Sequence, residues 1–261
     1  MKNITLSSNV ELLKDGDYRL DSFNNASLEI EVNSKSTIIV DKLLTDCALK
    51  IVVKEGASLT LSILSENPIN LFDIKVIVKK NGQFDAYFAD FSKDSINLKC
   101  AIDLVEEGAS AIFHLASLAA NKDNKIIDVS INHLSPRTYG KVDNYGVCKD
   151  NAKLTFLGTS FIANKSIKSK TQQNAKIMVF DEYSNAIAKP ILKIDENDIE
   201  ASHAAVVGKI NDEHLFYLTS RGINETEAKE LITFGYLKPI LLGFNNQDLK
   251  EHISSLIEGR M

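Results

Sequence analysis

Apolar side chains alternate with other residues through most of the first 210 positions. Segments 28–32, 49–53, 59–63, 72–78 and 96–104 all show this two-residue period. Such alternation places the apolar set on one face of a β-strand. The 3.6-residue period of a helix is hard to find before about residue 210. The pattern therefore predicts a mainly β protein up to that point.

Short turns containing Gly or Asn separate the predicted strands at regular intervals. Gly56, Gly82 and Gly108 are spaced 26 residues apart, and each lies between two alternating segments. Gly and Asn tolerate the left-handed backbone angles that a sharp bend requires. Similar turns are predicted at 33–34, 149–152 and 173–175. A repeat of short strands is typical of a β-helix, but the same turns would suit the hairpins of a β-sandwich.

The character of the chain changes near Asn211, which predicts a core over residues 1–210 and a helical region over residues 211–261. Asn211 is placed to cap a first helix, and Gly222 is placed to end it. Asn224 and Glu227 resemble a capping box at the start of a second helix. A last helix carries an apolar stripe at 249, 253, 256 and 257. We expect these helices to pack on the end of the β-body or on a partner.

Composition and motifs argue against an enzyme. The formal net charge of −5 does not favour nucleic acid, and no phosphate-binding loop or HExxH or GxSxG motif is present. The five histidines are scattered, so no catalytic residue and no cofactor site is predicted. No apolar run approaches the roughly 20 residues of a membrane span, and no signal peptide is visible. Three cysteines without a CxxC pair suit a reducing compartment, so we expect a cytoplasmic protein with no membrane contact.

The segment from 195 to 234 is the most specific part of the sequence. It contains SHAAVVG, from Ser202 to Gly208, followed by LFYLTSRGI, from Leu215 to Ile223. This pairing resembles the C-terminal signature of the SufB/SufD family, and looser similarity extends back to about residue 125. The resemblance implies a right-handed parallel β-helix core with a small C-terminal α-helical domain. It favours the β-helix over the sandwich.

The resemblance also implies a role in the SUF iron–sulfur cluster assembly complex. Members of the family are scaffold subunits that pair through their β-helical cores and dock the SufC ATPase through their helical regions. The expected partners are a SufC-type ATPase and either a SufB-type subunit or a second copy of this chain. Relatives usually carry an extra N-terminal region, which this sequence is expected to lack. The alternatives are a β-helical adaptor or a cluster- or flavin-binding redox carrier outside cluster assembly. The residues expected to bind the partner ATPase are Leu215, Phe216, Tyr217, Arg221 and Gly222. The alternatives are a place in the helix core for Leu215 and Phe216, and capping of helix carbonyls for Arg221.

Two departures from the SufB pattern indicate a SufD-like chain. Gln173 stands where SufB members carry a cysteine, and His203 follows a serine as in SufD. Many SufD proteins also have a cysteine at the position of Ala201. His203 is therefore the one candidate metal ligand, at the dimer interface, with an interface or core histidine as the structural alternative. Any cluster would be transient and shared with SufB, since iron–sulfur clusters prefer thiolates that the partner would supply.

Two further residues are predicted to be structural. His133 is expected to be a ladder residue of the β-helix, and Cys100 is expected to be buried in packing because it alternates with Leu98 and Ile102.

Overall fold

The computed structural model describes residues 1–4, 10–20 and 22–260, and within these ranges the strands form two parallel sheets. Successive strands alternate between the sheets, so that each strand pairs with the strand two places along the chain. The nine-stranded sheet contains β1 (Lys2–Ile4), β3 (Gly16–Leu20), β5 (Lys35–Val40), β7 (Ser58–Ser65), β9 (Gln83–Asp90), β11 (Ser110–Ala119), β13 (Tyr139–Cys148), β15 (Lys170–Val179) and β17 (Glu200–Lys209). The eight-stranded sheet contains β2 (Glu11–Leu13), β4 (Asn25–Ile30), β6 (Asp46–Val53), β8 (Ile69–Val78), β10 (Ser95–Leu104), β12 (Asn124–His133), β14 (Lys153–Ile162) and β16 (Asn185–Ile194).

This topology is a parallel β-solenoid and confirms the predicted fold class. The described strand pairs are all parallel, whereas the sheets of a β-sandwich would be antiparallel. In-register side chains stack along the solenoid: Leu49, Ile74, Cys100 and Val129 follow one another on four neighbouring strands. Cys100 is 2% exposed, which confirms that it belongs to the packing.

Left-handed residues at the corners also stack from coil to coil. The backbone φ angle is positive at Asn33, Gly56, Asn81 and Gly108, and later at Arg137 and Lys168. Each amide in this series donates to a carbonyl of the next corner, as Gly56 N does to Lys80 O at 2.9 Å. The predicted corner at 79–82 is present between β8 and β9, but its left-handed residue is Asn81 and not Gly82, so the left-handed positions are not equally spaced. The spacing instead grows, from 23 residues between Asn33 and Gly56 to 31 between Arg137 and Lys168.

Asn and Gly alternate in this series for a steric reason. A Cβ atom at Gly56 would lie 2.1 Å from Asn33 Oδ1, and one at Gly108 would lie 2.3 Å from Asn81 Oδ1. The asparagine amide of one corner therefore occupies the space that the missing Cβ of the next corner leaves free.

The interior also contains one fully buried ion pair. Lys125 Nζ lies 2.9 Å from Asp90 Oδ2 and donates to Ser92 O at 2.8 Å, and both charged side chains are 0% exposed. Asp90 also accepts hydrogen bonds from Ser92 Oγ and Ser117 Oγ, each at 2.6 Å. A buried charge without such partners would cost several kcal/mol, so the pair requires this complete set of contacts.

The C-terminal region forms α1 (Asp212–Ser220), α2 (Glu225–Leu237), a 3₁₀ segment (Lys238–Gly243) and α3 (Gln247–Glu258). Asn211, Asn224 and Asn246 cap the three α-helices, because each side chain accepts a backbone N–H of the first turn. Gly222, with φ of +89°, follows the end of α1 as predicted. Among the described residues no helix has the length and apolar character needed to cross a membrane.

The position of α2 and α3 differs from the expectation. They pack on the outer face of the nine-stranded sheet and not on the end of the β-body. Ile253 and Ile257 of α3, with Leu237 and Phe244, share an apolar cluster with outward residues of the sheet; the sheet side includes Leu64, Ala89, Ala116, Leu118 and Val147. The sequence signal was present: β11 ends in LASLA, a run of apolar and small residues without polar alternation, which indicates a strand end buried on both faces.

Arg260 fixes the end of this helical region to the solenoid. Its guanidinium pairs with Asp123 and donates to Ser92 O, and a further bond reaches Phe91 O at 2.9 Å. Asp123 in turn accepts the backbone amides of Ala120 and Asp94 at 2.9 and 2.8 Å. Arg260 from outside the solenoid and Lys125 from inside it therefore both donate to Ser92 O at one corner.

Substituting Gly56→Ala should lower the free energy of unfolding by about 1–3 kcal/mol, because alanine is disfavoured at positive φ and its Cβ would meet Asn33 Oδ1. Urea denaturation followed by circular dichroism measures this. The double variant Asn33→Gly/Gly56→Ala should be less destabilised than the sum of the two single changes. Gly235→Ala in α2, where the added Cβ meets nothing within 4 Å, is the matched control and should be neutral or slightly stabilising. Equal losses for Gly56→Ala and Gly235→Ala would contradict the corner argument.

Candidate functional site

The C-terminal end of the solenoid is open. β16 and β17 are the last strands of the two sheets, and each pairs with one neighbour only. β17 is exposed along almost its whole length, and Val206 and Val207 are 55% and 45% exposed. The inward-facing residues of this last coil therefore have no further coil above them.

The two open edges differ in how well they could accept another strand. β16 contains Pro190, which lacks an N–H, and the charged side chains of Lys189 and Lys193. Proline and lysine protect edge strands against pairing. β17 has neither between Ala201 and Gly208 and carries no Asp, Glu or Arg there. A ten-residue edge of this kind is a template for a further strand.

His203 lies in the middle of this exposed strand. It pairs in register with Gln173 of β15 and belongs to the same inward-facing column. The side chain is exposed because the coil above it is missing. Among the described residues no group of three or more His, Cys, Asp and Glu is placed to hold a metal ion. The chain by itself thus offers His203 as a single imidazole at an open surface.

Gln173, the inward residue paired with His203, is a fixed polar side chain. It is 2% exposed, and its amide donates to Ser160 Oγ at 2.7 Å and to Ile191 O at 3.2 Å. Gly158 makes room for it, since a Cβ there would lie 2.7 Å from Gln173 Oε1. The position next to His203 in the inward column is therefore filled by the Gln173 side chain, which two hydrogen bonds hold in place.

The three cysteines are buried and protonated. Burial, with the charge of Asp46, raises the pKa of Cys47 to about 12, and burial raises the pKa of Cys148 to about 11. Burial also raises the pKa of Cys100. The thiolate is the form that ligates metal or attacks sulfur, so burial disfavours the reactive form of these cysteines.

The predicted partner-binding residues lie together on α1 and the turn that follows it. No residue of α1 is buried, and Phe216 and Tyr217 are 74% and 56% exposed. Leu215 is half-buried, Gly222 ends the helix, and the Arg221 guanidinium lies 5.1 Å from the centre of the Tyr217 ring. Large exposed aromatic side chains on one helix are typical of a protein-binding surface.

His133 is an inward ladder residue, as predicted, but its environment could not be foreseen. Its Nδ1 lies 2.8 Å from Thr138 Oγ1, while Nε2 has no hydrogen-bond partner among the described residues. A Cβ at Gly140 would lie 2.8 Å from this Nε2, so glycine is needed beside the ring. Burial lowers the pKa of His133 to about 4, and the imidazole is neutral in the folded protein at pH 7.

Stability should therefore fall as the pH drops from 7 to 5. The unfolded histidine binds a proton near pH 6.5 and the folded one only near pH 4, so acid favours the unfolded state between these values. The expected loss attributable to His133 is about 2 kcal/mol at pH 5. Urea denaturation of the wild type and of His133→Asn at both pH values isolates the contribution of His133 to the pH dependence of the free energy of unfolding. An equal pH dependence in the two proteins would contradict this assignment.

The comparisons agree with this geometry. Residues 16–236 match the family model described as SUF system FeS cluster assembly, SufBD core domain. The chain is 34% identical over 131 residues to the iron–sulfur cluster assembly protein SufD of Bacillus subtilis (strain 168), covering 50% of this chain and 30% of the relative. It is 24% identical over 217 residues to SufB of the same organism, covering 82% and 47%. The SufD protein of Escherichia coli (strain K12) is 26% identical over 156 residues, covering 59% and 37%. The chain thus aligns with less than half the length of these relatives, and it belongs to the SufBD core family of the SUF iron–sulfur cluster assembly system.

Proposed function

We propose that the chain is a non-catalytic, SufD-like scaffold subunit of a cytoplasmic SUF iron–sulfur cluster assembly complex. The observation that carries the proposal is the open end of the solenoid, where β17 presents a long unprotected edge. Membership of the SufBD core family supports it. The buried, protonated cysteines also support it, because a chain without reactive thiols is suited to hold partners and not to transfer sulfur.

The first proposed contact is with a partner of the same fold. A strand added to β17 would satisfy its free backbone N–H and C=O groups, and the partner's last coil would cover the exposed inward residues of this one. The partner is a SufB-type subunit or a second copy of this chain. His203 would then lie at the interface and contribute one imidazole to a nascent cluster, the cargo of the complex, whose thiolate ligands come from the partner.

The second proposed contact is a SufC-type ATPase docked on the helical region. Leu215, Phe216 and Tyr217 of α1 supply the apolar surface, with Arg221 and Gly222 at its end. Aromatic residues and arginine are the usual energetic centres of protein interfaces. Since α2 and α3 are packed on the solenoid, α1 is the helix left free for a partner.

Co-purification with the SufC-type ATPase of the same organism tests the docking surface. Phe216→Asp and Tyr217→Asp should each weaken binding by about 2 kcal/mol or more, roughly thirtyfold, because a charge replaces an aromatic side chain that the proposed interface buries. Leu242→Asp changes an equally exposed residue of the 3₁₀ segment and should bind normally. If the wild type binds no ATPase, the proposed docking fails and the adaptor alternative replaces it.

Size-exclusion chromatography with light scattering tests the pairing surface, both for the chain alone and with the SufB-type subunit. Ala205→Lys places a charge on the inward side of β17 and should abolish pairing while ATPase binding is retained. Val32→Lys, at an exposed position far along the solenoid, is the control and should pair normally. Pairing that survives Ala205→Lys would show that the partner binds elsewhere.

A further inference from the structure

One corner of the solenoid holds the guanidinium of Arg260 with three acceptors. Nη1 donates to Ser92 O and, at 2.9 Å, to Phe91 O, while Nη2 donates to the carboxylate of Asp123. The side chains of Arg260 and Asp123 are each 5% exposed. A planar guanidinium donates in several fixed directions at once, whereas an ammonium acts as a point charge. Three acceptors around one buried position therefore match a guanidinium in particular.

The solenoid alone holds the carboxylate of this corner in place. Asp123 Oδ1 accepts the backbone N–H of Asp94 at 2.8 Å, and Oδ2 accepts that of Ala120 at 2.9 Å. Both donors lie in the coils and not in the helical region. The orientation of Asp123 is therefore fixed independently of Arg260.

The carbonyl of Ser92 is fixed in the same way. Its own N–H donates to Asp90 Oδ1 at 3.2 Å, and its oxygen accepts from Lys125 Nζ at 2.8 Å. Lys125 balances the charge of Asp90 at 2.9 Å, which leaves Asp123 with Arg260 as its ion-pair partner. A buried carboxylate without a partner is costly, so the corner favours occupation by a cation.

Arg260 is rigidly connected to α3. Its backbone N–H donates to Ile257 O at 3.3 Å, and the N–H of Gly259 donates to Ser255 O at 2.9 Å. Ile257 is fully buried against the sheet. Movement of α3 away from the sheet therefore withdraws the guanidinium from its corner.

Few other polar contacts join the helical region to the solenoid. Within the described ranges these are the hydrogen bond from Ser62 Oγ to Gly243 O and the ion pair of His252 with Glu66 at 3.0 Å. The two side chains of that ion pair are 48% and 35% exposed, so solvent screens it. The Arg260 contact is the buried ion pair of this interface.

We infer that the corner of Phe91, Ser92 and Asp123 is a preformed guanidinium site and that Arg260 is a latch held in it. While Arg260 is bound, α2 and α3 stay packed on the nine-stranded sheet. When it leaves, the helical region opens as one unit and uncovers the apolar face of the sheet, while the coils of the solenoid stay paired. This latch goes beyond the proposed function and does not depend on contacts at β17 or α1.

Hydrogen exchange of the full chain, followed by mass spectrometry, tests the latch, because exchange reports local opening. Arg260→Ala should accelerate exchange in α2 and α3 by about tenfold or more, since it removes three hydrogen bonds that involve a charged group. Exchange in the inner strands β8 and β10 should not change. Arg137→Ala, which removes an exposed arginine paired with Glu107, is the control and should leave α2 and α3 unchanged. Unchanged exchange of these helices in Arg260→Ala, or equal acceleration in β8 and β10, overturns the inference.

Chemical rescue tests the guanidinium site itself. N-ethylguanidinium at about 20 mM should restore most of the protection of α2 and α3 in Arg260→Ala, and ethylammonium at the same concentration should not. Arg260→Lys, which keeps the charge but loses the planar fork, should also exchange faster than the wild type. Wild-type protection of β8 and β10 verifies that each variant is folded. Equal rescue by the two cations, no rescue by either, or wild-type protection in Arg260→Lys overturns the assignment.

Discussion

The constraint on which the structure depends is that each coil of a parallel solenoid must satisfy the backbone of the coil before it. Inner coils satisfy one another in three ways: their strands pair in register, like side chains stack, and left-handed corners hydrogen-bond to one another. The same rule leaves the last coil without a neighbour. An end strand of ten residues with no charged residue or proline in its centre is costly to leave exposed. The open end is therefore the feature of the fold on which the proposed pairing rests.

The helical region covers a second surface that the solenoid leaves exposed. The outer face of the nine-stranded sheet carries apolar residues that would otherwise face water, and α2, the 3₁₀ segment and α3 cover them. Arg260 closes this arrangement at the corner where Lys125 and Asp90 are buried. Because both cations bind the carbonyl of Ser92, the position of the helices is tied to the interior of the solenoid. α1 lies outside this packing and remains available.

Local patterns predicted much of the fold, and non-local contacts account for what they missed. Alternation and corner residues gave the strands, and Asn211 and Asn224 gave the helix starts, because both depend on neighbours in sequence. The turn predicted at 173–175 was wrong: these residues lie inside β15, where Gln173 is buried, because Asn and Gln mark a turn only by local propensity. The packing of α3 and the Lys125–Asp90 pair depend on residues tens of positions apart. Of the candidate site, His203 and the α1 residues were predicted by family resemblance, whereas the structure supplies their exposure.

Reactive groups and exposed binding surfaces lie in different parts of the molecule. Groups that could react, the thiols above all, lie inside the solenoid, where burial keeps them protonated. Surfaces that could bind lie where regular structure ends: the edge of β17 and the free face of α1. This arrangement supports the proposed scaffold role. Cluster chemistry at His203 would therefore depend on whatever ligands a partner brings to the open end.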